Sequence, residues 1–201
     1  MGKTALGAQI ALNMARAGYR VAFFSLEMSD EDLALRFLSS MTGIDGLKLQ
    51  AGNVDEDEKD LLAGAAGELY GLPLKINPHG EDTGLFSAIR QLSATEGLDA
   101  VFLDYIQLVE VAGNQNRNDA IGTVSRRLKL GAMALDFVAV PLSQMSRANE
   151  KRSDKRPELS DMRDSGNIEQ DQDGAMGIYR EDYYNPKTAD RGSAEIIIMK
   201  H

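Results

Sequence analysis

Apolar and polar positions along this chain change their period several times, dividing it into alternating helix-like and strand-like segments. Ala5 to Ala17 is a helix-like run that stops at Gly18, and Val21 to Leu26 is a short apolar run of strand type. Ser29-Asp30-Glu31-Asp32 has the form of a helix start with a capping box, and Asn53 to Leu69 reads as an exposed acidic helix. Leu72 to Ile76 predicts a strand, Thr83 to Glu96 a helix, and Ala100 to Asp104 a buried strand ending in an acid. Asn114 to Asp119 reads as a polar loop before a helix over Ala120 to Leu135, and Phe137 to Leu142 as another strand. From Ser146 to Pro157 the charged, apolar-poor composition predicts a mobile loop. Asp173 to Tyr179 and Ala194 to Met199 predict two last strands. Strands alternating with helices predict an α/β fold with a largely parallel sheet, and no internal repeat or low-complexity tract interrupts it.

Composition bounds this picture. The 201 residues, 43% of them apolar, suffice for one domain with a real core, and no apolar run approaches a membrane span. The absence of cysteine excludes disulfides and thiolate metal sites, and the expected setting is the cytoplasm, with no membrane partner. A net charge of −9 argues against a surface that grips nucleic acid everywhere. The charge is unevenly spread, however: Arg117 to Arg163 holds ten Lys/Arg against six Asp/Glu. An acidic body with one basic stretch suits contact with nucleic acid along one surface, and equally a solvated charged face.

Chemistry enters at the amino terminus, where Met1-Gly2-Lys3-Thr4 forms the closing half of a phosphate-binding loop ahead of a helix. In such loops backbone N–H groups cradle phosphates, the lysine reaches the β/γ-phosphates and the hydroxyl holds Mg²⁺. A bare Gly-Lys-Thr is common, so context must support it. Asp104 stands at the carboxyl end of a buried strand, where it can hold a Mg²⁺ shell or cap a turn. Glu27 ends the first strand at the same expected edge, able to deprotonate an attacking water or to favour a helix N-terminus. Gln144, past the Phe137 to Leu142 strand, can hydrogen-bond a γ-phosphate or act as a satisfied loop amide. His79 lies in a turn composition, and Tyr183-Tyr184 offers either a stacking surface or packing.

Four segments resemble the motor domain of the DnaB-type replicative DNA helicases, within the RecA-like ATPases: Met1 to Leu6, Phe24 to Ser29, Leu103 to Leu108 and Leu142 to Arg147. The most distinctive match is Arg152-Ser153-Asp154-Lys155-Arg156-Pro157, then Ser160-Asp161-Met162-Arg163-Asp164-Ser165-Gly166, then Ile168-Glu169-Gln170-Asp171. The resemblance implies a RecA-like P-loop NTPase core truncated at both ends, beginning inside the phosphate loop and stopping before the arginine finger. It further implies a homo-hexameric ring that hydrolyses ATP with Mg²⁺, threads single-stranded DNA 5′ to 3′, and meets a primase and a loader. On this likeness Gly2, Lys3 and Thr4 bind phosphates and Mg²⁺, Asp104 is the Walker B acid, Glu27 the base and Gln144 the γ-phosphate sensor. Arg180 would pack on adenine and Lys200 would reach a neighbour's ATP. Arg163, Asp164 and Gly166 would hold the DNA backbone.

Some positions depart from the family pattern. Pro141 lies in a strand and removes a ladder donor, while Gly174 and Gly177 stand where larger apolar residues are usual, with an expected loss of packing. Two competing expectations are a RecA- or KaiC-like ATPase without unwinding, and an inactive nucleic-acid-binding remnant. The Arg163 to Gly166 segment argues against the first; the joint presence of Lys3, Thr4, Glu27, Asp104 and Gln144 argues against the second for an intact protein, while for these 201 residues, with half of the phosphate loop and the finger expected outside them, it stands as a rival.

Overall fold

Two five-residue strands, β1 (Val21–Ser25) and β3 (Ala100–Asp104), are buried at every position and form the centre of the molecule. The computed structural model describes residues 2–77, 84–111, 117–146, 152–165 and 168–201, without the side chains of residues 117 and 163–165. Side chains alternate across a strand, so full burial means that both sheet faces are covered. Val21, Phe23, Ala100 and Phe102 pack with Ala8, Ala11 and Leu12 of α1 (Lys3–Arg16) and with Leu33 and Phe37 of α2 (Asp30–Thr42). Ala22, Phe24, Val101 and Leu103 meet Ala88 and Ile89 of α5 (Leu85–Thr95) and Ile121, Val124 and Leu128 of α6 (Arg117–Leu135) on the opposite face. Phe23 ties the first layer together, stacked on Phe102 at 5.8 Å and edge-on to Phe37 at 6.0 Å. Each such buried ring contributes about 1.5–3 kcal/mol of burial energy.

The sheet is wholly parallel, in the order β2 (Leu74–Ile76), β1, β3, β4 (Val138–Pro141). The short helix α3 (Gly46–Gln50) and the longer, acidic α4 (Glu56–Gly71) lie between α2 and β2. The predicted α4 starts three residues late in the structure because Asp55 takes the cap position and forms a reciprocal capping box with Glu58. At α2, Ser29 accepts from the Asp32 N–H, but the Asp32 carboxylate takes the Ser29 hydroxyl and not its backbone N–H, so only half of the expected box forms.

Beyond β4 come a 3₁₀ segment (Leu159–Ser165), α7 (Ile168–Asp171), β5 (Ala175–Tyr179), α8 (Glu181–Tyr184) and β6 (Glu195–Lys200). β5 and β6 pair antiparallel as a separate two-stranded sheet.

Several expectations are corrected here. Arg117 to Asp119, read as loop, is the first turn of α6, since the apolar stripe of Ile121, Val124 and Leu128 anchors the helix and its polar start extends into solvent. The rest of that loop, like His79, lies outside the described residues. The described part of the predicted mobile loop, Ser146 and 152–157, is irregular but anchored: Ser146 N–H and Arg152 both bind Asp161, Arg156 pairs with Glu195, and Pro157 is buried. Gly177 is a close-approach site, because an added Cβ would lie 2.4 Å from Pro157 Cγ and 3.2 Å from Met199 Sδ. Gly174 precedes the strand, and its Cβ would lie 3.5 Å from the Lys200 carbonyl. Pro141 ends β4, where the bonds from Val138 and Leu142 N–H to Asp99 and Leu103 O put the inward donors on even positions. Its missing donor therefore faces away from β3.

Candidate nucleotide site

Gly2 precedes α1 with φ 80°, a left-handed conformation for which glycine is suited, and its carbonyl accepts from Leu6 N–H at 2.9 Å. Among the described residues no side chain caps α1, and no acid lies in its first turn, so its leading N–H groups and the positive end of its dipole are left for an anion. Lys3 and Thr4 begin this helix, half-buried. The Lys3 ammonium lies 4.6 Å from the centroid of the Tyr105 ring, the residue that follows β3.

Asp104 is fully buried, and neither carboxylate oxygen has a hydrogen-bond partner among the described residues. A carboxylate withdrawn from water without a partner is costly, and a hard cation is the natural complement to two bare oxygens. The residues therefore fit Mg²⁺ bound with a phosphate ligand. Leu26 N–H donates to the Asp104 carbonyl at 2.7 Å, locking the end of β1 to that of β3. Glu27 follows immediately, exposed at this same edge, in a bend held by Met28 N–H donating to Ser25 Oγ at 3.0 Å. Asn77 braces the edge from β2: its carbonyl oxygen accepts from Ser25 N–H at 2.6 Å and its amide donates to Asp30 at 2.6 Å.

Gln144 is exposed just beyond β4. Its backbone N–H donates to Gln107 Oε1 at 3.2 Å, and Gln107 Nε2 donates to the Gln144 carbonyl at 3.0 Å and Ser143 Oγ at 2.8 Å. From the other side Leu142 presses on α1 at Gly7, where an added Cβ would meet its Cδ1 at 3.0 Å. Two residues further, Ser146 N–H donates to the Asp161 carbonyl at 3.0 Å.

Asp161 is buried and held by two Arg152 nitrogens at 2.6 and 2.9 Å and by Glu158 N–H at 2.9 Å. Burial pushes its carboxyl upward, but the Arg152 and Glu158 bonds outweigh this and leave it below the ordinary value. Arg163 and Asp164 lie on the same 3₁₀ segment as Asp161, and Gly166 lies outside the described residues.

Two predicted residues are engaged elsewhere. Arg180 turns onto Asp182 at 2.9 and 3.2 Å, with Gly192 N–H also donating to that carboxylate. Lys200 donates to the Glu169 and Gln172 carbonyls at 2.9 and 2.7 Å, closing the end of α7. Tyr184 stacks on Tyr179 at 5.7 Å and meets Tyr183 edge-on at 5.0 Å, so these rings pack on one another. The Tyr179 phenol donates to Glu181, which, with burial, pushes its pKa up to about 12. Sequence reasoning missed Gln107 and the Arg152–Asp161 pair, although both lie in the segments quoted for the family resemblance.

The chain is 38% identical over its whole length to a replicative DNA helicase of Bacillus subtilis and 39% identical to a probable plasmid replicative DNA helicase of Chlamydia psittaci. It spans 45% and 44% of those relatives, about half their length. Among solved structures, an ATPase domain superposes with a TM-score of 0.89 at 35% identity, over all of this chain and 73% of that one. A DnaB-like replicative helicase, described with its interactions with primase, gives 0.91 at 36%, over all of this chain and 51% of that one. These neighbours agree with a RecA-like α/β core. The model of the DnaB-like helicase C-terminal domain matches residues 1–201, and the chain belongs to that family.

Proposed function

We propose that this chain is the ATP-hydrolysing motor portion of a replicative DNA helicase, which works as a hexameric ring that moves 5′ to 3′ on single-stranded DNA and unwinds duplex. The observation that carries this reading is the buried Asp104 carboxylate, without a hydrogen-bond partner among the described residues, with Lys3 over the ring of the next residue, Tyr105, and Gln144 fastened to the turn that follows. Family membership supports the reading, and so does the likeness to a helicase described with primase, the class of partner proposed here along with a loader. The same reading includes a cytoplasmic setting; no described helix is long and apolar enough to cross a membrane.

Lys3 and the open N–H groups of α1 bind the phosphates of ATP. Thr4 and Asp104 would hold Mg²⁺, which neutralises phosphate charge when bound. Glu27 orients the attacking water and accepts its proton, and Gln144 hydrogen-bonds the γ-phosphate. Arg180 is assigned to the adenine and Lys200 to a neighbouring subunit's ATP. Both assignments require these side chains to exchange their present partners, Asp182 and the carbonyls of Glu169 and Gln172. Arg163, Asp164 and Gly166 hold the DNA backbone.

The test is the ATPase rate of the full-length protein containing this chain, with and without single-stranded DNA. DNA should stimulate turnover, and Glu27→Ala should lower kcat by about a hundredfold or more. Undiminished turnover in that variant would overturn the assignment.

A further inference from the structure

Beyond the ends of β3 and β4, the pairing of these strands is continued by a side chain. The inward-facing backbone of β4 falls on even residues: Leu142 N–H donates to the Leu103 carbonyl at 2.9 Å and the Leu142 carbonyl accepts from Ile106 N–H at 3.0 Å. Gln144 is next in that series, but the main chain facing it has turned into the 3₁₀ segment Ile106–Leu108 and offers no strand. The Gln107 amide fills this place. Its oxygen takes the Gln144 N–H and its nitrogen gives to the Gln144 carbonyl, so both backbone groups of one residue are held by one planar amide. A second donor bond, to Ser143 Oγ, fixes the amide plane. The orientation of that amide follows from its partners, since an N–H needs an acceptor and a carbonyl needs a donor. No other side chain of this length supplies both.

We infer that Gln107 is a positioning residue for ATP hydrolysis, holding the backbone of Gln144 so that the Gln144 side chain meets the γ-phosphate. This rests on the proposed role of Gln144. Two residues separate Gln107 from Asp104, so the group that faces the nucleotide's metal and the group that sets the sensor are carried on one short stretch of chain. Uncoupling them impairs turnover more than binding, because Gln107 is placed to act on Gln144 and not on the Lys3 and Thr4 helix start.

The experiment measures kcat and KM for ATP with saturating single-stranded DNA in the full-length protein, for Gln107→Ala, Gln144→Ala and the double variant. Gln107→Glu is a second probe that keeps the accepting oxygen and the volume but loses both donated bonds. Each Gln107 variant should lower kcat by about tenfold with KM within about twofold, consistent with the loss of two or three neutral hydrogen bonds. The thermal unfolding midpoint of Gln107→Glu should fall by no more than a few degrees, leaving the protein folded under assay conditions, and the double variant should be no slower than Gln144→Ala alone, since a residue acting through Gln144 has nothing left to position. Unchanged kcat in both Gln107 variants, or a double variant slowed by the product of the single effects, would overturn the inference while leaving the sensor reading intact. Unchanged kcat in Gln144→Ala would overturn the sensor reading and this inference with it.

Discussion

Arg152 holds Asp161 through two guanidinium nitrogens, at 2.6 and 2.9 Å, and the aspartate it holds is only 2% exposed. The same guanidinium donates to the Arg156 carbonyl at 2.6 Å, so one side chain closes the irregular segment onto itself and onto the 3₁₀ turn. Arg152→Ala would strand a buried carboxylate, and is expected to destabilise the fold by about 2–3 kcal/mol, read as a lower midpoint in urea unfolding. Arg152→Lys should recover only part of this, because an ammonium cannot make the paired bonds.

Asp104 should show the opposite sign. Neither of its oxygens has a hydrogen-bond partner among the described residues, and burying a carboxylate in that way is a cost to the fold. Asp104→Asn removes the charge at the same volume, and is expected to raise nucleotide-free stability by about 1 kcal/mol while abolishing the extra thermal stabilisation given by Mg²⁺ and ATP. Loss of stability in the nucleotide-free variant would mean that the carboxylate has a structural partner after all.

Acid stability should depend on Asp99. Arg20 binds it with Nε at 2.9 Å, a terminal nitrogen at 2.6 Å and its backbone N–H at 2.7 Å, and this holds the Asp99 pKa at about 2. A carboxyl depressed in the folded state contributes stability that is whole above its ordinary value near 4 and is lost as pH falls through the depressed value. Thermal midpoints of the parent and Asp99→Asn should therefore differ at pH 6 and converge as pH falls from about 4 towards 2. A difference that widened with acid would refute the linkage.

How much of this was visible in the residues alone depended on the range of the interaction. Ala100 to Asp104 was legible to the residue because burial on both faces writes an unbroken apolar run, closed by its acid. Gln107 was not, since its partners lie 36 and 37 residues away and are mostly backbone, which any sequence could supply. The segment from Arg152 to Pro157 looked mobile because its composition is polar, while its order comes from a buried carboxylate, from Glu195 and from the cleft at Gly177 that Pro157 fills. Gly177 looked like a packing defect for the same reason: the proline that needs the space is twenty residues earlier.

The hydrogen bond from Ser146 to Asp161 gives the proposed motor a short drive shaft. Two residues of chain, about 7 Å when fully extended, separate Gln144 from that bond, and two more separate Asp161 from Arg163. With Asp161 clamped by Arg152, this short train joins the proposed γ-phosphate sensor to the proposed DNA contact through few links, so on those assignments a displacement at one end has little chain in which to be lost before the other.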